Sequence, residues 1–382
     1  MEKSLRAGII GHTGRGDYGH HLDVSYQWVP EVKVVAVADP DPEGLEATGV
    51  KTEAGRLYAD YREMLEAEDL DLVNVCPRRP VLHSEMVIAA AASGARGILL
   101  EKPFARTLSE ADAMLDACHR NGVRMAVAHR RANAYEQHGK KLVEEGAIGG
   151  IQSIRSHGKA DRRSGALDLM VLGTHMMDSM RHFAGSDVAW ANGQVTQDGR
   201  EVTVHDIREG DEEIGLIAGN AVTAYYAFEN GISAYFESYP SDPAVDRSKR
   251  WFGFEVYGET GIISLRDSPS GEMYIYPHGR WIPGEDDGKW ERIVIEDWEK
   301  APDGHVRSYE ERMHLSNRIV AGELVRAVRE DRDVAEVSSG EDARAALEMI
   351  MAVHESQRLG ARVSFPLKNR ENPYRTWLDA KE

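Results

Sequence analysis

The stretch Ala7-Gly-Ile-Ile-Gly-His-Thr-Gly-Arg-Gly-Asp-Tyr-Gly19 decides the fold. An apolar run ends in a turn whose Gly14-x-Gly16-x-x-Gly19 spacing matches the dinucleotide fingerprint. Glycines there let the backbone turn tightly and approach a pyrophosphate at the N-terminus of the following helix. The register stays open. Gly11 closes the strand and can take the first place, with Gly14 and Gly16 next. In either register His12, Thr13 and Arg15 fall on the cofactor side of the turn. A second apolar run, 32–38, leads into Asp39, 20 residues after Gly19. That is the spacing of a carboxylate that binds the adenosine ribose. Pro40-Asp-Pro42 brings no arginine, so a 2′-phosphate would meet only negative charge, and NAD is expected over NADP. Asp17 beside a pyrophosphate is unfavourable unless paired, and Arg15 is the cation at hand.

Outward from this turn, strand-like runs recur at 72–76, 97–100 and 123–128, with helix patterns at 61–67, 83–92 and 109–121. Ser109-Glu-Ala-Asp112 has the character of a capping box. Apolar strands alternating with helices give a parallel sheet covered on both faces. After residue 129 the rhythm changes. A helix is expected at 134–145, a strand at 151–157 and a helix at 166–183. Strands follow at 220–228, 232–238, 251–257, 262–265, 273–276 and 291–295, several separated by glycine turns such as Asn230-Gly231. Helices at 307–330 and 340–358 and a strand at 362–365 end the chain. The fold class is therefore an α/β Rossmann domain with a parallel sheet, plus a C-terminal α+β domain with a large open, mainly antiparallel sheet. The expected boundary gives 1–128 for the dinucleotide domain and 129–382 for the substrate and oligomerisation domain. The C-terminal helix and tail are free to pack back on the first domain.

Length agrees with two domains, since 382 residues exceed what one core supports. A net charge of −18 argues against nucleic acid or an anionic membrane as partner. No apolar run reaches the ~20 residues of a membrane span. The N-terminus lacks a signal-peptide pattern, and Cys76 and Cys118 alone cannot make a disulfide scaffold. A cytoplasmic location is expected. No metal-binding spacing of His, Cys or carboxylates stands out.

Glu101-Lys102-Pro103 closes the strand at 97–100, where open α/β sheets place their sites. Pro77 closes the strand at 72–76 in the same way and is expected at the cofactor. Lysine there can hold a substrate oxygen by a charged hydrogen bond, and the plain alternative is a surface lysine. His175 lies in an apolar helical stretch with Asp178 one turn on, able to orient it. A lone histidine there is otherwise a core residue. Lys159, Asp161, Arg162 and Arg163 form a polar stretch after a strand and line either the substrate cleft or a solvated loop. His129, before Arg130 and Arg131, raises the same choice. Tyrosines and tryptophans at 225–257 read as sheet core or interface.

At these residues the chain resembles the Gfo/Idh/MocA family, the glucose–fructose oxidoreductase and inositol dehydrogenase group. The glycine turn, Ala38-Asp-Pro-Asp41, Glu101-Lys102-Pro103, Gly173-Thr-His-Met-Met-Asp178, Tyr257-Gly-Glu-Thr-Gly-Ile262 and His354-Glu-Ser-Gln-Arg-Leu-Gly360 carry the likeness over nearly the whole length. The resemblance implies NAD or NADP, a polyol, sugar or sugar-like alcohol as substrate, and Lys102 and His175 facing the nicotinamide. It also implies a homodimer or homotetramer through the open sheet face. One departure is Val171, where the family often has an Asp that helps hold substrate. Asp168, one helical turn earlier, is the candidate replacement. The leading function is oxidation of a secondary alcohol on a sugar, polyol or sugar acid. A redox-neutral epimerase, lyase or glycoside-cleaving enzyme with retained NAD, and a non-catalytic nucleotide sensor, are the alternatives.

Overall fold

The computed structural model describes residues 3–242, 251–266, 271–282, 284 and 288–380. The chain forms two compact units. One comprises Met1–Ala132, Glu212–Ile214 and Glu310–Arg344, and the other Asn133–Asp211, Gly215–Tyr309 and Ala345–Glu382. A segment near the C-terminus, with the helix expected at 307–330, thus groups with the dinucleotide domain, while the tail groups with the second unit.

The first unit is built on β1 (Leu5–Ile10), β2 (Val32–Ala38), β3 (Arg56–Tyr58), β4 (Leu72–Val75), β5 (Gly97–Leu100) and β6 (Arg124–Val127). All neighbours are parallel, in the order β3-β2-β1-β4-β5-β6. The order reverses between β1 and β4, and the loops at their carboxyl ends form the crevice where such sheets bind ligands. Every residue of β4 and β5 is buried, as expected of strands covered on both faces. The crossovers carry α1 (Pro42–Thr52), α2 (Tyr61–Ala67), α3 (Pro80–Ala92) and α4 (Leu108–Asn121). Asp41 caps α1, accepting from the Gly44 amide, with Pro42 at the first helical position. The cap of α4 is Thr107, whose hydroxyl accepts from the Glu110 amide, and not Ser109.

Beyond residue 133 the chain runs through α5 (Ala134–Glu144), β7 (Ile151–His157), α6 (Gly165–Val171), α7 (Gly173–Ala184), β8 (Val188–Gln197) and β9 (Arg200–Glu201). Then come β10 (Arg208–Glu209), β11 (Leu216–Ile217), β12 (Ala221–Phe228), β13 (Ser233–Ser238), β14 (Gly253–Gly258), β15 (Ile262–Arg266), β16 (Glu272–Tyr276) and β17 (Glu291–Ile293). The last elements are α8 (Glu296–Glu299), α9 (Tyr309–Glu330), α10 (Gly340–Leu359), β18 (Val363–Ser364) and α11 (Pro373–Asp379). The large sheet has the order β17-β16-β15-β14-β7-β13-β12-β8-β18, with β9 beside β8. Only the β7–β13 pair is parallel among these. Burial alternates along β13, so one face is packed and the other is not.

Two expectations fail locally. The helix expected at 166–183 is two helices interrupted at Leu172, whose φ of −119° is stretched from the regular helical value. More consequentially, no α-helix follows the glycine turn: residues 18–28 are turns around one 3₁₀ segment, Leu22–Val24. Leu22, Tyr26 and Val29 of this coil share a core with Val320, Ala321, Leu324, Val325 and Val328 of α9 and with β1, β4 and β5. Coil and α9 together do the covering that a helix after β1 would do.

Candidate active site

The glycine turn is a small closed loop. His12 and Asp17 exchange backbone hydrogen bonds, His12 N to Asp17 O at 3.2 Å and Asp17 N to His12 O at 2.9 Å. Gly14 and Gly16 have φ of 78° and 99°, a region that glycine enters at little cost. A Cβ at Gly16 would stand 2.7 Å from the Arg78 amide nitrogen, so the loop after β4 lies directly against the turn. Gly11 directly follows β1, and a Cβ there would strike the Tyr18 ring at 2.2 Å. Asp17 is neutralised by Arg78 (3.2 Å) and caps the Gly14 amide (2.9 Å). Arg15, the partner expected for it, instead pairs with Glu213 at 2.7 Å.

Asp39 stands at the end of β2, but it is 1 % exposed. Its oxygens accept from Thr13 N (3.0 Å), Thr13 Oγ1 (2.7 Å) and Asp41 N (2.9 Å). In this structure Asp39 pins the glycine turn through Thr13.

At the end of β5, Glu101 is fully buried and Lys102 nearly so. His20 Nδ1 makes a short contact with Glu101 Oε1. Burial pushes the Glu101 carboxyl up, and His20 and the Lys102 ammonium outweigh it, holding it below the usual carboxylate range. His83, buried on α3, sets its ring nitrogens 2.7 Å from the Pro77 carbonyl and 3.1 Å from that of Phe104. It ties the loops that end β4 and β5 and so positions the turn carrying Lys102. Neither His20 nor His83 stands out from sequence spacing. The strand order is what brings the loops they join together.

These residues fit a dinucleotide. A Cβ at Gly14 would meet nothing within 4 Å, so the turn offers open backbone. Arg78 and Arg79 adjoin it. Glu101 Oε2 is a buried acceptor with no hydrogen-bond donor among the described residues. The helix N-terminus expected to face a pyrophosphate is not there, since only the 3₁₀ segment follows.

The remaining candidates divide. His129 is buried in the first unit, its Nδ1 3.0 Å from Ser338 Oγ; this ties the end of β6 to the segment before α10. In the second unit, Asp161 accepts from Arg163 Nη2 at 2.6 Å and Nε at 3.0 Å. Burial pushes Asp161 up, and Arg163 overrides it, bringing it down to about 2. Arg163 is thus spent within its own loop, while Arg162 is exposed and Lys159 Nζ lies 3.9 Å from Asp161. Asp168 is fully buried on α6 and accepts from Ser238 Oγ (2.6 Å), Ala160 N (3.2 Å) and Lys159 N (3.3 Å). Burial raises it to about 6. It anchors the loop that bears Lys159 through the Lys159 and Ala160 amides, and is itself held by Ser238, a partner that sequence spacing does not reveal. His175 and Asp178 lie buried on α7, one turn apart, and Val171 is buried on α6.

Residues 5–129 match the family described as Gfo/Idh/MocA, oxidoreductase family, NAD-binding Rossmann fold. Levoglucosan dehydrogenase of Pseudarthrobacter phenanthrenivorans is 28 % identical over 311 residues, 72 % of this chain and 76 % of that protein. Myo-inositol 2-dehydrogenase of Thermotoga maritima is 26 % identical over 290 residues, 70 % of this chain and 81 % of that one. D-apiose dehydrogenase of Paraburkholderia graminis is 41 % identical, over 132 residues and 34 % of each chain. The fold is shared with the structure of levoglucosan dehydrogenase in complex with NADH and levoglucosan, at a TM-score of 0.73 and 22 % identity over 96 % of this chain and all of that one. It is shared equally with an oxidoreductase domain protein from Kribbella flavida, at 0.72 and 23 % over the same shares. With its Rossmann strand order, glycine turn and buried Glu101-Lys102, the stretch 5–129 is similar to the NAD-binding Rossmann domain of the Gfo/Idh/MocA oxidoreductases.

Proposed function

We propose that the chain oxidises a secondary alcohol of a sugar, polyol or sugar acid, reversibly and with NAD. The names of its relatives, dehydrogenases of levoglucosan and myo-inositol, support this substrate class. The observation that carries the reading is Lys102: a nearly buried ammonium beside a fully buried carboxylate, at the carboxyl end of a parallel sheet. A buried lysine with only donors to offer suits a substrate oxygen, which it holds by a short charged hydrogen bond. The open backbone at Gly14, with Arg78 and Arg79 beside it, would hold NAD, which would supply the hydride acceptor. His175, with Asp178 to orient it, takes the hydroxyl proton. Asp168 already accepts from Ser238 and from two loop amides, so it serves the loop and not the proton. Lys159 and Arg162 contact the substrate's distal hydroxyl or carboxyl groups.

The test is a panel of sugars, polyols and sugar acids followed by NADH absorbance, with Lys102→Ala beside wild type. Turnover should fall by ~10²–10⁴ in the variant while NADH still binds. Activity within a few-fold of wild type would make Lys102 a structural residue.

We further infer a homo-oligomer assembled through the large sheet. A row of rings and cations crosses it on β14, β7, β13, β12 and β8. Arg155 lies 4.9 Å from the Tyr257 ring centre, Tyr225 and Tyr235 are 5.3 Å apart, and Trp190 is 5.1 Å from Tyr225. Tyr235 is 41 % exposed at the centre of this row. Free, buried Cys76 and Cys118 suit a reducing cytoplasm.

A further inference from the structure

We propose that His21, Glu310 and His314 form a binding site for a divalent cation of the zinc class. All three belong to the first unit, and the site does not depend on the proposed reaction. Glu310 and His314 are four residues apart on α9 and share a helix face. His21 comes from the coil just after the glycine turn. One donor atom from each residue lies within 4.8 Å of the other two. His21 Nε2 stands 3.6 Å from Glu310 Oε1, and the imidazole centres are 4.7 Å apart.

Two further features set this group apart from a chance cluster of polar side chains. His314 Nε2 is shielded from solvent and has no hydrogen-bond partner among the described residues. Such an atom forfeits a hydrogen bond that water would give it, and a cation would restore a partner. His21 holds a left-handed backbone, φ 66° and ψ 33°, uncommon for a residue with a side chain. The same stretch is fastened one turn further along α9, where Asn317 Nδ2 donates to the His20 carbonyl at 2.6 Å. The site therefore joins two elements already held together.

Two imidazoles and a carboxylate are a zinc donor set, with water as the fourth ligand. Nitrogen donors favour zinc, nickel or cobalt over magnesium or calcium. A tetrahedral ion with bonds of ~2.1 Å holds its ligand atoms ~3.4 Å apart. Closing from 4.8 Å takes only side-chain rotation, and Glu310, 65 % exposed at its side chain, has room for it. The ion would pin the coil after the glycine turn to α9. Sequence spacing gives no sign of it, because the ligands come from opposite ends of the chain.

The experiment uses the full-length chain without a histidine tag, stripped with chelator and titrated with zinc chloride by calorimetry. Metal content is read after gel filtration. One zinc per chain should bind, raising the melting midpoint, with magnesium producing no shift. Glu310→Gln, an exposed change that leaves the fold intact, should weaken binding about tenfold, and His21→Ala with His314→Ala should abolish it. Absence of stoichiometric zinc at roughly 10 µM, or unchanged affinity in both variants, would overturn the proposal.

Discussion

At the scale of single residues, the buried ionisable groups separate by what they are bound to. Asp168 sits at about 6 because burial outweighs its hydrogen bonds. Its protonated form is favoured in the fold. The resulting stability is fully present below the unfolded value of ~3.9 and is lost as pH rises through about 6. The gap between the unfolded ~3.9 and about 6 corresponds to about 3 kcal/mol. Asp168→Asn cannot titrate, so it should gain about that much on wild type between pH 4 and pH 7. Denaturant melts of both proteins at the two pH values check this; a gap that stays constant refutes it. His354, held down at about 4 by burial, works in the opposite direction. Its contribution is present above ~6.5 and fades as pH falls through 4, which is why the comparison must be made against the variant. His175 is tested by His175→Asn, which keeps size but cannot accept the proton. As general base, its loss should lower kcat by ~10²–10⁴ and remove the low-pH limb of the rate profile. A variant with an intact profile and only a lower melting midpoint would mark His175 as a core residue.

At the scale of elements, what was legible in sequence followed how plainly each element advertises one packing. β2, β4 and β5 are short apolar runs bounded by polar residues, and their reading holds to within a residue or so. β8 escapes periodicity because Asn192-Gly193 in its middle reads as a turn. A Cβ at Gly193 would stand 2.7 Å from Val353 Cγ1, and the Gly193 amide donates to Ser356 Oγ at 3.0 Å. The glycine admits α10, which only the folded chain reveals. The coil at 18–28 misleads for a related reason: the element covering that face arrives some 300 residues later. Among the candidate residues, Lys102 and the glycine turn can be picked out in sequence because each is a local motif. His20, His83 and Ser238 are not, because each acts through a partner distant in sequence. The substitute cover by α9 has a measurable consequence. A Cβ at Gly97 would lie 2.8 Å from Val328 Cγ2 and 3.2 Å from Leu324 Cδ1, so helix and strand touch without a spacer. Leu324→Ala should cost ~2–5 kcal/mol, since so close a contact cannot relax into the gap. Denaturant unfolding reads this directly, and a loss below ~1 kcal/mol would mean that α9 is not part of the core.

At the scale of the molecule, an overall charge of −18 works against self-association. Any homo-oligomer must therefore be held by a patch that differs from the average surface. The row on the large sheet is such a patch. Arg155 faces Tyr235 across β7 and β13, and Tyr235 faces Tyr225 across β13 and β12. Arg362 lies 5.1 Å above the Trp190 ring at the β8 end of the row. The patch is thus aromatic, with cations over its rings, and a two-fold related copy could set tyrosine against arginine in both directions. Tyr235 lies at its centre, where a charge would be desolvated on assembly. Tyr235→Glu should therefore dissociate the oligomer into monomers while leaving the fold of each chain intact, because the side chain already meets solvent in the isolated chain. Light scattering at micromolar concentration, with circular dichroism as a check on folding, makes the comparison. A wild-type chain that is already monomeric sinks the assembly itself. A variant that stays oligomeric moves the interface to another face of the molecule.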